Sequence, residues 1–274
     1  MEITIDNNYH TSRLDRFIRE KYSIPQSLAS RLIREKKIKV NKKKSQPSTI
    51  LHNGDTISIY YFLEENSKQI HINPSLVKQF ISWIIFEDEN IIIINKPHGI
   101  SSQGGIISGI SVDILAKQYN EEARITHRLD RETSGIMIIA KNKHTARHIT
   151  GLFAKNLINK KYYAMVEQIN QKNGTIVSDL QKNPKLQKIL VTQGTSCTTH
   201  FEKFSENILL ITPQTGKMHQ IRAHLSHIGM PIIGDSKYGG IQSTRMFLHS
   251  FSIEFEGKIF ISQCDFIQNT NFKL

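Results

Sequence analysis

The tetrapeptide R-L-D-R occurs twice in this chain, at residues 13–16 and again at 128–131, and its two aspartates, Asp15 and Asp130, sit among different neighbours. The second copy reads H-R-L-D-R-E-T-S-G, so His127, Arg128 and Arg131 bracket one carboxylate. Cations close to an acid favour its charged form, which predicts an ionised Asp130. Such a group suits a nucleophile or a stabiliser of developing positive charge, and suits a proton donor poorly. The same residues would serve an aspartate that only makes turn and salt-bridge contacts before the strand I-M-I-I-A, and spacing alone leaves both readings open. Glu132 is the only acid close by, whereas glycoside hydrolysis ordinarily needs two carboxylates across the scissile bond. Further on, Tyr162 and Tyr163 are adjacent in K-K-Y-Y-A-M-V and must face opposite ways if that segment is a strand. In H-Q-I-R-A-H-L-S-H, His224 and His227 can share a helix face. His219 falls off that face and no cysteine or close glutamate joins them, so no metal site is expected.

Pattern predicts the elements that carry these groups. Ser12 can cap a helix with Asp15 three residues on, and Leu14, Phe17 and Ile18 then share one face. The first R-L-D-R is therefore expected to start a helix, with Asp15 as a cap-region residue. A second helix opens near Pro25 to Ser27, with Leu28, Leu32 and Ile33 inward and Arg31, Arg34, Lys36 and Lys37 outward. The strand I-K-V-N, a basic turn with Lys42 and Lys43, and the strand D-T-I-S-I-Y-Y follow. The polar run 64–75 reads as a linker, dividing a domain at 1–70 from one at 71–274. Beyond it, Ile-rich strands (91–99, S-G-I-M-I-I-A-K, K-K-Y-Y-A-M-V, N-I-L-L-I-T-P, I-E-F-E-G-K-I-F) mix with helices near 111–120, 143–157 and 218–228. Strands and helices do not alternate regularly, which predicts an α+β fold around a largely antiparallel, mixed central sheet flanked by helices.

Charge points to a polyanionic partner. The net charge is +12, and residues 1–63 carry 12 Lys and Arg against 6 Asp and Glu, so half of the excess lies in less than a quarter of the chain. Two cysteines exclude a disulfide framework. The start M-E-I-T-I-D-N-N lacks a signal-peptide pattern and no apolar run is long enough to span a bilayer, so a cytoplasmic protein without membrane association is expected.

Two resemblances sharpen this reading. R-L-D-x-F-I, S-x-x-L-I-R-E-K-K-I-x-V-N and N-G-D-T-I, over roughly residues 11–60, resemble the small α/β RNA-binding domain first known from a ribosomal small-subunit protein. H-R-L-D-R-E-T-S-G-I-M-I-I-A-K, K-K-Y-Y-A-M-V, T-G-K-M-H-Q-I-R-A-H-L and P-I-I-G-D-S-K-Y-G, in that order, resemble the RluA family of pseudouridine synthases. The resemblance implies the pseudouridine-synthase fold and isomerisation of uridine in RNA, in which the uracil is detached at N1, turned, and rejoined through C5. No redox change or energy input is involved, so no cofactor is implied. By motif position Asp130 matches the catalytic aspartate, Arg222 the arginine that pairs with it, and Tyr162 the tyrosine that the resemblance implies stacks on the flipped uracil and assists removal of the C5 proton. The basic residues Arg31, Arg34, Lys36, Lys37, Lys42 and Lys43, together with Arg128, His127, Lys217, His219 and Gln220, are then expected to contact RNA. Arg128 is placed to fill the gap left by the departing nucleotide.

Two departures stand out. Lys217-Met218 replaces the usual Arg-Thr, and S-S-Q-G-G follows the N-K-P-H-G turn where many members carry a His. The latter resembles the subgroup that modifies large-subunit ribosomal RNA. The expected protein is a monomer acting on that RNA. The competing reading is a non-catalytic RNA-binding or ribosome-assembly factor, which a loss of Asp130, Tyr162 or Arg222 would have favoured.

Overall fold

The computed structural model describes residues 1–22, 24, 26–61, 74–104 and 110–267. They fall into two compact units, residues 1–61 and residues 74–104 with 110–267. Most of the expected linker lies outside the described residues, but Pro74 and Ser75 already open a helix.

In the first unit, β1 (Glu2–Thr4), α1 (Leu14–Tyr22), α2 (Gln26–Arg34), β2 (Ile38–Val40) and β3 (Thr56–Ile59) enclose one core. The sheet order is β1-β3-β2, antiparallel throughout. The expected face of α1 is buried, and Leu14, Phe17, Ile18 and Tyr22 meet Ala29, Leu32 and Ile33 of α2. The outer face of α2 and the turns after it leave Arg31, Arg34, Lys36, Lys37, Lys42 and Lys43 exposed. Lys36 ends α2 in the left-handed region (φ 62°), which glycine would occupy at less cost.

The role expected for Asp15 needs correction. No capping box forms: the Asp15 backbone N–H donates to Pro47 O at 3.0 Å and that of Ser12 to Tyr9 O at 3.0 Å. The Asp15 carboxylate is instead buried, 2% exposed, and fully engaged. Arg13 Nε donates to Oδ1 at 3.0 Å and Arg13 Nη2 to Oδ2 at 2.7 Å, while Gln26 Nε2 reaches Oδ2 at 2.6 Å. Asp15 therefore ties the start of α1 to the start of α2.

The second unit runs α3 (Pro74–Ser82), β4 (Ile84–Glu87), β5 (Ile91–Lys96), α4 (Val112–Tyr119), β6 (Arg124–Ile125), β7 (Ser134–Ala140), α5 (Lys143–Ala154), β8 (Asn159–Met165), β9 (Asn173–Asn183), β10 (Lys188–Lys203), β11 (Ile208–Pro213), α6 (Gln220–His227), β12 (Leu248–Phe255) and β13 (Lys258–Ile261). One sheet has the order β4-β5-β7-β12-β8-β11-β10-β9, with β6 beside β7 and β13 beside β12. Every pairing is antiparallel except β7 with β12. The fold is thus α+β with a largely antiparallel sheet. Strands β5 and β7 are covered on both faces, which is why they read as unbroken apolar runs. On one face Ile91, Ile93, Ile136 and Ile138 pack against Ile149 of α5. A second core forms where Ile221 and Leu225 of α6 settle on Ala164 of β8 and Leu209 and Ile211 of β11.

The parallel seam between β7 and β12 is short and tight. A side chain at Gly135 would lie 2.2 Å from Ser250 O, and the residue sits at φ +110°, so only glycine fits there. That seam lies directly behind the R-L-D-R-E-T-S-G loop. The long β9–β10 hairpin has no counterpart among the strands expected from sequence, because much of it faces solvent and few of its positions are apolar.

Candidate active site

Asp130 sits in the loop between β6 and β7, and that loop is held from three sides. The Ser102 hydroxyl donates to Leu129 O at 2.6 Å and accepts from the Leu129 N–H at 2.9 Å. The Gly99 N–H donates to Arg131 O at 2.8 Å. Lys96 is wholly buried and spends its ammonium on backbone carbonyls, Pro97 O and Ile100 O at 2.9 Å each and Arg131 O at 3.3 Å. Burial pushes this amine down to about 7, against the charges of Glu132 and Asp130. Within the loop, the Thr133 N–H closes a turn onto Asp130 O at 3.1 Å. The segment N-K-P-H-G-I-S-S is thus the cradle of the Asp130 loop.

Packing of α6 on β8 and β11 brings Arg222 to the carboxylate. Its Nη1 donates to Asp130 Oδ2 at 2.8 Å. The other edge of the guanidinium forks onto buried Asp235, Nε to Oδ2 at 2.7 Å and Nη2 to Oδ1 at 2.9 Å. A bidentate pair fixes the plane of the guanidinium, so Asp235 aims the remaining donor at Asp130. Burial acts to lower the guanidinium pKa, but the hydrogen bonds and charges of Asp235, then of Asp130, outweigh it and hold it above its ordinary value.

His219 stands beside the same carboxylate oxygen, with Nε2 3.7 Å from Asp130 Oδ2. Its Nδ1 is 2.9 Å from the Tyr238 hydroxyl, which itself accepts from the Ile189 N–H at 2.9 Å. His219 occupies the left-handed region (φ 54°, ψ 20°), a costly conformation for a residue other than glycine. Tyr238 also lies under Arg222, with the guanidinium carbon 5.0 Å from its ring centre.

The opposite wall comes from β8. Alternation sends Lys160 and Tyr162 into a pocket of about 100 Å³ that Asp130, Arg222 and the loop 213–217 also line. Tyr163, on the other face, is buried against Phe204 and Phe251. Burial pushes the Tyr162 phenol up to about 12, with Asp130 adding to the shift and Ser250 opposing it. A second, wider basin of about 390 Å³, lined by Ser101–Gly104, Arg128, Glu132 and Lys237, also opens onto Asp130 and Arg222.

Asp130, Tyr162, Arg222, His219 and Lys217 are thus brought together, and Arg128 stands exposed at the rim of both hollows. One of the residues expected to contact RNA is turned inward instead. Gln220 is buried: its side-chain oxygen accepts from Thr215 Oγ1 at 2.8 Å and the Lys217 N–H at 3.0 Å, and its amide nitrogen donates to Thr198 O at 3.0 Å and Thr199 Oγ1 at 3.0 Å. It braces the loop before α6. His127 stacks on Phe153 with ring centres 4.4 Å apart, and its Nε2 accepts from the Ile138 N–H at 2.9 Å. Burial lowers its pKa to about 3, so it is neutral at physiological pH, and it stays partly exposed. His224 likewise spends both nitrogens on Ser178 and Thr199 hydroxyls, each at 2.9 Å. Among the described residues no group of three His, Cys, Asp or Glu converges as a metal ion would require. Sequence reasoning left Asp235, Tyr238, Ser102, Lys96 and Lys160 without roles, although all of them fall in or beside motifs it had quoted.

With this geometry in view, comparison with known proteins defines the class. The family described as RNA pseudouridylate synthase matches residues 90–227, and the S4 domain matches residues 12–57. The chain belongs to the RNA pseudouridylate synthase family and is an enzyme of the isomerase class. Among its relatives is the ribosomal large subunit pseudouridine synthase C of Rickettsia bellii, 33% identical and aligned over 95% of this chain and 94% of that protein. The protein of the same description from Haemophilus influenzae is 32% identical over 93% and 86% of the two chains. In fold the chain is similar to human RNA pseudouridylate synthase domain containing 1, with a TM-score of 0.58, 22% identity and coverage of 67% of this chain and 84% of that one. No helix among the described residues is long and apolar enough to cross a membrane.

Proposed function

We propose that this enzyme converts uridines of large-subunit ribosomal RNA to pseudouridine, with Asp130 acting as an ionised carboxylate. One observation carries the chemical part. Arg222 and His219 both address Oδ2 of Asp130, while Oδ1 accepts no hydrogen bond from any described residue in a pocket walled by Tyr162. A carboxylate held by one oxygen and open at the other is oriented and available, either to attack an electron-poor carbon or to stabilise the charge that forms there. The electron pair of the C1′–N1 bond leaves with the base. The new bond forms through C5, C5 then loses its proton, and N1 regains one, so atoms and charge balance without an external reagent.

Tyr162 presents its ring to the same pocket. Its raised pKa keeps the phenol protonated near neutrality, which favours a stacking surface over a general base. Arg128, exposed and without an ion pair to the described residues, is placed to occupy the gap left by a flipped nucleotide. In the first unit Arg34, Lys36, Lys37, Lys42 and Lys43 are exposed without ion pairs among the described residues, and Arg31 there meets Glu35 at 4.0 Å. These cations supply phosphate contacts and placement, and the second unit supplies chemistry. The large-subunit substrate rests on what the relatives' descriptions name and on the likeness to them.

The deciding experiment incubates purified protein with transcripts of large-subunit ribosomal RNA and maps pseudouridine by mass spectrometry, beside RNA from cells lacking the protein. New pseudouridine in vitro at the positions missing in those cells is the expected result. Tight RNA binding with no product would favour the assembly-factor reading.

A further inference from the structure

Lys160 is an anomaly in this pocket. It is 7% exposed, and it makes no hydrogen bond or ion pair with any described residue. Lys96, the other lysine buried among the described residues, meets three carbonyl oxygens, whereas Lys160 has none. Strand alternation places Lys160 on the Tyr162 face of β8, in the wall of the Asp130 pocket. Its Nζ end lies against the 213–217 loop, 3.8 Å from where a side-chain carbon at Gly216 would stand. Burial alone lowers its pKa, with no carboxylate near enough to offset it. A largely desolvated cation in the wall of an open pocket, with no anionic partner among the described residues, is free to meet an anionic group that arrives with the substrate.

We propose that Lys160 is the cation that receives the negative charge of the target nucleotide, its ammonium facing the uracil oxygens as the base leaves the ribose. The inference rests on the pseudouridine-forming reading above and adds a residue to it. When the C1′–N1 bond breaks, its electron pair spreads from N1 onto O2 and O4 of the uracil. A donor aimed at those oxygens would stabilise the separated base more than the bound nucleotide, which is the requirement for raising the rate. Arg222 already gives three of its five N–H donors to Asp130 and Asp235. A flanking phosphate is the other anion RNA could bring to the same amine, and it would be held equally before and after cleavage.

The test compares wild type with Lys160→Met and Lys160→Arg on a ribosomal RNA transcript that wild type modifies, measuring RNA affinity and the single-turnover rate at saturating protein. The expected result for Lys160→Met is a rate lower by on the order of 10²-fold with affinity changed less than about threefold, and partial recovery in Lys160→Arg. Its thermal midpoint should stay close to that of wild type, since the ammonium has no partner among the described residues to lose. Weakened affinity with an unchanged saturated rate would assign the amine to a phosphate and overturn the uracil assignment. Wild-type rate and affinity in Lys160→Met would overturn the inference altogether and leave the parent reading standing. If Lys160→Met fails to fold, Lys160→Arg and Lys160→Gln under the same two measurements decide between the same outcomes. A wild-type protein that forms no pseudouridine would fail the parent reading itself.

Discussion

Asp15 and Asp130 share four residues of sequence and an arginine partner, and they do opposite things with them. The Arg13–Asp15 pair is made two residues apart, and with Gln26 it engages both carboxylate oxygens in a site 2% exposed. The partner of Asp130 lies 92 residues away, occupies one oxygen, and leaves the side chain 23% exposed beside a pocket. A carboxylate saturated by local partners is a fastener between two helices. One held at a single oxygen by a distant, independently fixed arginine can still react. The difference lies in how many lone pairs remain uncommitted, and not in the identity of the flanking residues.

The largest test of that contrast is Asp130→Asn. The amide keeps the shape and can still accept from Arg222, so folding and RNA binding should persist. Pseudouridine formation should fall by on the order of 10³-fold or more, read by single-turnover product analysis. Substantial residual turnover would remove the distinction between the two copies.

Acid should separate the two units next. Burial depresses His127 to about 3 and His224 and His249 to about 4, all in the second unit. Below the ordinary histidine value near 6.5 the unfolded chain takes up protons that the folded unit refuses. Stability therefore falls as pH drops from about 6.5 towards 4, and is fully retained above that window. Denaturant titrations at pH 7, 5.5 and 4.5 should show a loss of a few kcal/mol in the second unit.

Asp235→Asn probes what aims the arginine. Its amide nitrogen would face a guanidinium donor and break the fork, so stability should drop by about 1–3 kcal/mol and turnover by roughly 10–100-fold, with RNA affinity little changed. Wild-type turnover in this variant would mean that Arg222 is positioned by packing alone. The smallest effect is expected for Asp15→Ala. Removing the shared acceptor of Arg13 and Gln26 should cost about 1–2 kcal/mol in thermal or chemical unfolding of the first unit. Turnover at saturating RNA should stay within about twofold of wild type, and its disappearance would make Asp15 more than a fastener.

Much of this was visible before any coordinates. The faces of α1 and α2, the exposed basic row and the opposite orientations of Tyr162 and Tyr163 all follow from periodicity, which local backbone geometry imposes. The long β9–β10 hairpin was not visible, because with much of its length open to solvent it needs no sustained apolar pattern. A polar residue in a motif looks available for RNA, yet burial commits the hydrogen bonds of Gln220 inside the protein. Asp235 and Lys160 lie within the motifs but carry no signal of their own in the sequence.

The sequence by itself determined which groups could do chemistry and on which face of each element they would stand, since both depend on residue type and on spacing within a few residues. Only the tertiary structure decided how each carboxylate and cation is partnered: Asp130 by Arg222 and Arg222 by Asp235, with Lys160 left unpaired among the described residues. Those pairings join α6, the loop after it and the turn before β7, with paired residues up to 92 positions apart. They are set by the packing of α6 on the sheet, in which the low-dielectric interior strengthens each chosen pair and penalises every charge left alone.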